Sequence, residues 1–196
     1  MKGCKPLNRI QVRTVLSKCK NILDKALLTL GFCTGFRISE LLSVKIKDIA
    51  NKQGIIIEEV SVKACNTKTK QGRTVNLNNM ARKALKELVD MLNSKGITQD
   101  NKLFVSRNHD NQGKIKSITR QRAWQLIKEL FELCEIYGKV ATHTLRKTFA
   151  QEMYILLKGK LEKIQIALGH KSITSTIAYL SFNQVDIDNA VMEVMF

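Results

Sequence analysis

A mainly helical α+β domain with one small antiparallel β-sheet is the fold class predicted by this 196-residue sequence, and three observations predict it. Apolar residues recur every three or four positions over most of the chain, the spacing of a helix face. A β-branched run, then a polar basic turn, then a second short run supply the strand signal. The chain has 1 Pro and 10 Gly, with no repeat and no Pro- or Gly-rich linker to divide it.

In chain order, residues 8–19 and 21–33 read as two helices, the second with Ile22, Leu23, Ala26, Leu27 and Leu30 on one side. Gly31 and Gly35 punctuate the end of the second helix, and Arg37 to Ser43 reads as a short helix. Residues 54–63 are β-branched and strand-like; the polar stretch Asn66 to Gly72 leads into a second short strand, Arg73 to Leu77, so the two form a hairpin with a basic turn. Residues 79–94 are amphipathic through Ala81, Ala84, Leu85, Leu88 and Leu92. Residues 119–136 repeat the pattern with Ala123, Ile127, Leu130, Phe131 and Cys134. Between them, Arg107 to Gly113 reads as a polar loop, and its His109 is given no role. Further helices fall at about 144–157, 161–168, 173–180 and 184–195. The last carries a stripe of Ile187, Ala190, Val191, Val194 and Met195, flanked by Asp186, Asp188 and Glu193.

Composition excludes several classes. No window approaches eighteen apolar residues, so no membrane span is expected. The start, Met1 to Pro6, lacks the apolar core of a signal peptide. The 5 Cys are scattered without a CxxC pair, which argues against a zinc knuckle or disulfide framework and for reduced thiols in the cytoplasm. Lys and Arg number 33 against 17 Asp and Glu, a formal net charge of +16. Such a surplus points to a polyanionic partner, most simply nucleic acid.

Four local patterns carry chemistry, and each has a plainer reading when taken alone. In Thr34-Gly-Phe-Arg37-Ile-Ser-Glu40, Gly35 allows a tight turn that sets Arg37 at a helix start, where free N–H groups favour an anion, with Glu40 on the same face to orient the guanidinium. The plainer reading is an exposed Arg–Glu pair. In His143-Thr-Leu-Arg146, the i, i+3 spacing brings an imidazole proton carrier beside a guanidinium fork suited to paired phosphate oxygens. His143 alone could equally cap the helix. In Leu168-Gly169-His170, Gly169 ends one helix in a left-handed cap and Ser172 starts the next, so His170 sits in a corner and Tyr179 closes the short helix; a ring packed for burial is the alternative. Thr67 to Arg73 is either a phosphate-seeking basic turn or a solvated one.

Taken in order, these patterns resemble the catalytic domain of the tyrosine recombinases, the phage integrase family, over roughly residues 8 to 185. Both the T-G-x-R-x-S-E segment and the nine-residue interval from His170 to Tyr179 match that family. The resemblance implies that Arg37 and Arg146 are the catalytic arginines, His143 and His170 the two histidines, Tyr179 the nucleophile, and Glu40 the acid supporting the first arginine. The family's hairpin lysine lies eight residues before a proline. Asn76 stands at the proline's position here, so the count gives Lys68, with Lys70 as the alternative. Lys147 follows Arg146 where many members carry a His, and it is given no role.

The implied activity is site-specific recombination of double-stranded DNA. A tyrosine ordinarily ionises near pH 10, so Tyr179 needs a base, and His143 is the candidate. The arginines neutralise a pentacoordinate phosphorane, His170 donates to the phosphate, and Lys68 protonates the leaving 5′-oxygen. The product is a 3′-phosphotyrosyl link. No metal, ATP or other cofactor is expected; the sequence carries no P-loop and no carboxylate cluster at metal-ligand spacing. Lys116, Arg120, Arg122 and Arg73 are candidate DNA contacts. The partners implied are duplex DNA, a homo-oligomer (a tetramer of synapsed sites) and, in some systems, an accessory DNA-bending protein. The location implied is cytoplasmic, on the nucleoid. Residues 1–183 would form the catalytic domain, and 184–196 a helix docking on a neighbouring protomer or folding back on its own. Residues 1–7 are too few for the N-terminal DNA-binding domain of most members, so that domain is expected to be absent, as in a minimal recombinase or a catalytic fragment. Two rivals stand beside this reading: type IB topoisomerase-like relaxation of DNA, and a non-catalytic DNA-binding regulator on the same scaffold.

Overall fold

The structure is a computed structural model that describes residues 4–62, 72–109, 115–180 and 191–194, without the side chains of 107–109. Lys68, Lys70 and most of the expected 184–195 helix lie outside the described residues.

Helix α1 (Arg9–Lys18) begins at Asn8, whose Oδ1 accepts the Gln11 N–H while the Gln11 side chain accepts the Asn8 N–H. This reciprocal pairing satisfies two donors that a helix start leaves open. Helix α2 (Ile22–Thr34) is capped by Asn21 and ends at Gly35, in the left-handed conformation at φ 59. Residues 26–32 of α2 are all buried, because the helix is apolar on every side and runs through the middle of the domain. It packs against both α4 (Asn79–Ser94) and α6 (Thr142–Leu156). Gly31 permits the approach of α6: a Cβ there would stand 2.7 Å from Leu145 Cδ1.

Between α2 and α4 come a short helix α3 (Ile38–Leu41), one 3-10 turn (Ile46–Asp48) and the hairpin β1 (Glu59–Val62) with β2 (Arg73–Asn76). The hairpin is antiparallel, pairing Val60 with Val75 and Val62 with Arg73. The expected strand over 54–63 is therefore only half a hairpin strand. Gly54, at φ 75, turns the chain over Asn51, and the first half of the run folds back through an Ala50–Ile56 bridge and an Ile57 N–H to Ile49 carbonyl bond.

A second sheet was not expected. β3 (Val105–His109) pairs antiparallel with β4 (Ile115–Ser117) across an irregular register, so the described residues form two small two-stranded sheets instead of one. His109 ends a strand where a loop was predicted. Helix α5 (Arg120–Leu133), capped by Thr119, stops three residues short of prediction, because Glu135 turns to φ 56. Helix α6 starts two residues earlier than predicted, with Thr144 Oγ1 accepting the Ala141 N–H at 3.2 Å. Helix α7 (Leu161–Leu168) and the short α8 (Ile173–Ile177) complete the order.

Three apolar clusters hold these elements. One joins α2, α4 and the β1–β2 hairpin around Leu27, Leu85, Leu88 and Phe104. A second joins α1, α2 and α5 around Val15, Leu28 and Phe131. The third, Phe149, Ala150, Ile164, Leu168 and Leu180, ties α6 to α7 and carries Tyr179 on its flank. The candidate site lies where the first and third meet.

Candidate active site

The site is built from helix ends. Arg37 occupies the N-cap of α3 with an extended backbone. Glu40, almost fully buried, accepts the Arg37 backbone N–H at Oε2 (2.8 Å) and the Arg37 Nη1 at Oε1 (2.7 Å). One carboxylate thus fixes both the main chain and the guanidinium of the same residue. It is more than the exposed pair of the plainer reading.

Arg146 is the largest fully buried side chain among the described residues, at 1% exposure. Its Nη1 donates to the Gly35 carbonyl and its Nη2 to the Leu168 carbonyl, both at 2.6 Å. These carbonyls belong to the C-terminal ends of α2 and α7, where helix carbonyls lack intrahelical partners and the dipole is negative. Nη1 also stands 3.9 Å from Glu40 Oε2, so the one acid links both arginines. Arg146 Nε is buried and has no hydrogen-bond partner among the described residues. Burial, then the Arg37 cation, draws the Arg146 pKa down to about 10, against the opposing pull of Tyr179 and Glu40.

His170 follows Gly169, the left-handed cap of α7 at φ 63, and precedes Ser172, whose Oγ accepts the Ser175 N–H at 3.3 Å. Its Nδ1 lies 3.0 Å from Oγ1 of the fully buried Thr176. Burial first, then the cations Arg146, Arg37 and Arg73, lowers its pKa from 6.5 to about 4, so the ring is neutral at pH 7.

His143, in the first turn of α6, is exposed. Tyr179 lies in the turn after α8, beyond the predicted helix's true end. Its Oη is 3.3 Å from His143 Nδ1, with the rings edge-on at 6.3 Å between centroids. The same phenol ring stands 4.9 Å from the His170 ring and 5.5 Å from the Arg146 Cζ. Residues 37, 40, 143, 146, 170 and 179, far apart along the chain, are therefore joined by contacts into one cluster.

The candidate DNA contacts divide. Lys116 is exposed on β4, and Arg120 and Arg122 are exposed at the start of α5, Arg122 with an ion pair to Glu129 at 3.6 Å. Exposed Trp124, with the Lys128 ammonium 5.6 Å from its ring centroid, extends that face. Arg73 does not belong with them. Its guanidinium lies 4.6 Å over the Phe36 ring and donates to the carbonyls of Thr34 (3.0 Å) and Ala167. It is turned inward against the site and is no surface cation, because Phe36 and two open helix ends offer it more than solvent does. Burial, then the charge of Arg146, lowers its pKa to about 9. Three guanidiniums thus cluster around one carboxylate, a surplus of positive charge that favours an anionic ligand. Sequence reasoning missed Thr176 and the inward role of Arg73; the pairing of β2 with Val62 is the signal that aims Arg73 inward.

Among the described residues, no three His, Cys, Asp or Glu side chains converge as a metal site would require. None of the described helices is long and apolar enough to cross a membrane.

A helical domain with this fold is the architecture of the tyrosine recombinase catalytic domains. The crystal structure of a XerA recombinase superposes on it with a TM-score of 0.75 at 24% identity, covering 100% of this chain and 68% of that one. A XerH recombinase bound to its difH substrate after cleavage gives 0.77 at 23% identity, covering 96% and 52%. The chain belongs to the phage integrase family, whose sequence profile matches residues 5–185. It is similar to the tyrosine recombinase XerD of Oceanobacillus iheyensis (30% identity over 177 residues; 88% of this chain, 53% of the relative). It is likewise similar to the XerA of Saccharolobus solfataricus (30% over 196 residues; 99% and 58%). The chain spans about half the length of the curated relatives it matches.

Proposed function

We propose that this chain is the catalytic part of a site-specific DNA recombinase. Tyr179 Oη attacks a backbone phosphorus, the P–O5′ bond breaks, and a 3′-phosphotyrosyl link forms. The phenol proton passes to His143 Nδ1, which lies 3.3 Å from Tyr179 Oη; that approach is the single observation that carries the reading. The leaving 5′-oxygen takes a proton from Lys68 or, failing that, Lys70. Arg37 and Arg146 neutralise the charge growing on the nonbridging oxygens, and the unpartnered Arg146 Nε–H is a donor that such an oxygen would satisfy. Neutral His170, whose Nδ1 lies against the Thr176 hydroxyl, offers Nε2–H to the phosphate. Beyond the covalent attack by Tyr179, each step is proton transfer or charge stabilisation by the chain's own side chains.

The partner is duplex DNA, held in part by Lys116, Arg120 and Arg122, and the work is done by a homo-oligomer on synapsed sites, in the cytoplasm on the nucleoid. For the neighbouring copy we assign the apolar groove of about 450 Å³ lined by Leu7, Val12, Leu16, Phe149 and Met153, whose charged lining is Arg13 and the paired Arg9 and Glu152. Its occupant is the 184–196 segment of a second protomer, whose apolar stripe and acids suit that groove and its Arg13. Exposed Val191 and Val194 leave apolar surface uncovered within one chain.

The test uses nicked duplexes that the full chain itself selects from a randomised pool. A protein–DNA adduct stable to denaturant should form, survive chelator, and vanish in Tyr179→Phe while DNA binding persists. An adduct that persists in Tyr179→Phe overturns the nucleophile, and supercoil relaxation without strand exchange between duplexes returns the chemistry to a topoisomerase. A chain ending at 183 should still form the adduct but no longer gather four protomers. Unchanged assembly would return the segment to its own protomer.

A further inference from the structure

Arg73 and Arg146 grip the same two places. Arg146 takes the carbonyls of Gly35 and Leu168; Arg73 takes those of Thr34 and Ala167, one residue earlier in each case. Two guanidiniums, one from α6 and one from β2, thus bridge the C-terminal ends of α2 and α7 side by side. From those ends the chain runs directly into Arg37, two residues past Gly35, and into His170, two residues past Leu168. The contact is close along its length. The Phe36 ring lies under the Arg73 guanidinium, and a Cβ at Gly169 would stand 3.2 Å from Arg73 Cδ.

We infer that Arg73 is a positioning residue of the strand-cleavage site: its paired bonds hold the ends of α2 and α7 at the separation at which Arg37, Arg146 and His170 address one phosphate. The inference rests on the proposed recombinase reading and adds to it a residue that touches no substrate. A planar fork reaches two carbonyls on different helices with one rigid arm each, a span that the single nitrogen of a lysine ammonium does not match. Were the Arg73 side chain lost, Arg146 alone would bridge the two helix ends. The site would then loosen by the fraction of an ångström that in-line attack does not tolerate.

The experiment measures adduct formation at saturating selected duplex, DNA affinity against salt, and thermal stability, for the full chain and for Arg73→Ala and Arg73→Lys. With Arg73→Ala the cleavage rate should fall by about 100-fold, while affinity and its salt dependence stay those of the parent. Arg73→Lys, keeping the charge but joining only one carbonyl, should recover part of the loss and remain about tenfold slow. A surface role would give the opposite pattern, with unchanged cleavage at saturation and a salt slope reduced by about 0.9. That result overturns the inference, as does a fully active Arg73→Lys. Failure of both variants to fold would assign Arg73 to the fold and equally overturn it. If the parent chain itself forms no adduct, it is the recombinase reading that falls.

Discussion

At the residue scale, the His170 ring is paired with one hydroxyl. Thr176 is fully buried, and its Oγ1 lies 3.0 Å from Nδ1. With the ring neutral, the proposed role of His170 needs that hydroxyl to donate to Nδ1, which leaves the ring's own proton on Nε2 for an acceptor. Thr176→Val keeps the shape and removes the bond. Adduct formation should then slow by about five- to tenfold, the value of one ordinary hydrogen bond, with DNA affinity unchanged; an unaltered single-turnover rate would dismiss Thr176 from the mechanism. Residues such as Arg37, His143 and Tyr179 were legible because their spacing within short motifs is itself the signal. Thr176 and Arg73 were not. A threonine in a Ser/Thr-rich run reads as solvent-facing, and an arginine beside two lysines reads as one more surface charge, until the pairing of β2 and the turn at Gly169 fix where each side chain points.

At the scale of elements, the helix ends do most of the placing. Gly35 closes α2 with φ 59, and a Cβ there would collide with Phe149 Cδ1. Gly35→Ala therefore suffers twice, from a left-handed backbone and from overpacking against α6, at a combined cost of about 2–4 kcal/mol. The thermal midpoint should drop by roughly 5–10 °C, and a midpoint within a degree of the parent would mean that α6 can yield. The same two features explain what sequence could and could not say about elements. Helices α2, α4 and α7 matched expectation within a residue or so, because periodicity and caps agree there. The β3–β4 hairpin escaped, because its strands run only five and three residues and carry polar side chains without clear alternation. The 54–63 run was overextended for the converse reason: a β-branched stretch cannot announce that its first half will pair with the chain just behind it.

At the scale of the whole molecule, charge governs. His170 has an ordinary pKa of 6.5 and a folded one of about 4. The unfolded chain therefore binds a proton first as pH falls, so this contribution to stability is complete above pH 6.5 and is lost on descending through 6.5 towards 4. The thermal midpoint should decline over that window, and more steeply than in His170→Gln. Parallel curves for the two proteins would show that His170 titrates as it does in the unfolded chain.

Three guanidiniums around Glu40 also set the energy of the empty pocket. Glu40 offsets only part of the repulsion among Arg37, Arg73 and Arg146, and the depressed pKa values of Arg73 and Arg146 record their burial first and that repulsion second. In the proposed reaction a phosphate held by Arg37 and Arg146 would offset the rest, with Arg73 contributing only its field from behind, so the occupied site would be the more relaxed form. Release from the nucleic acid would then be uphill at the reaction centre itself, quite apart from any grip on the duplex outside it.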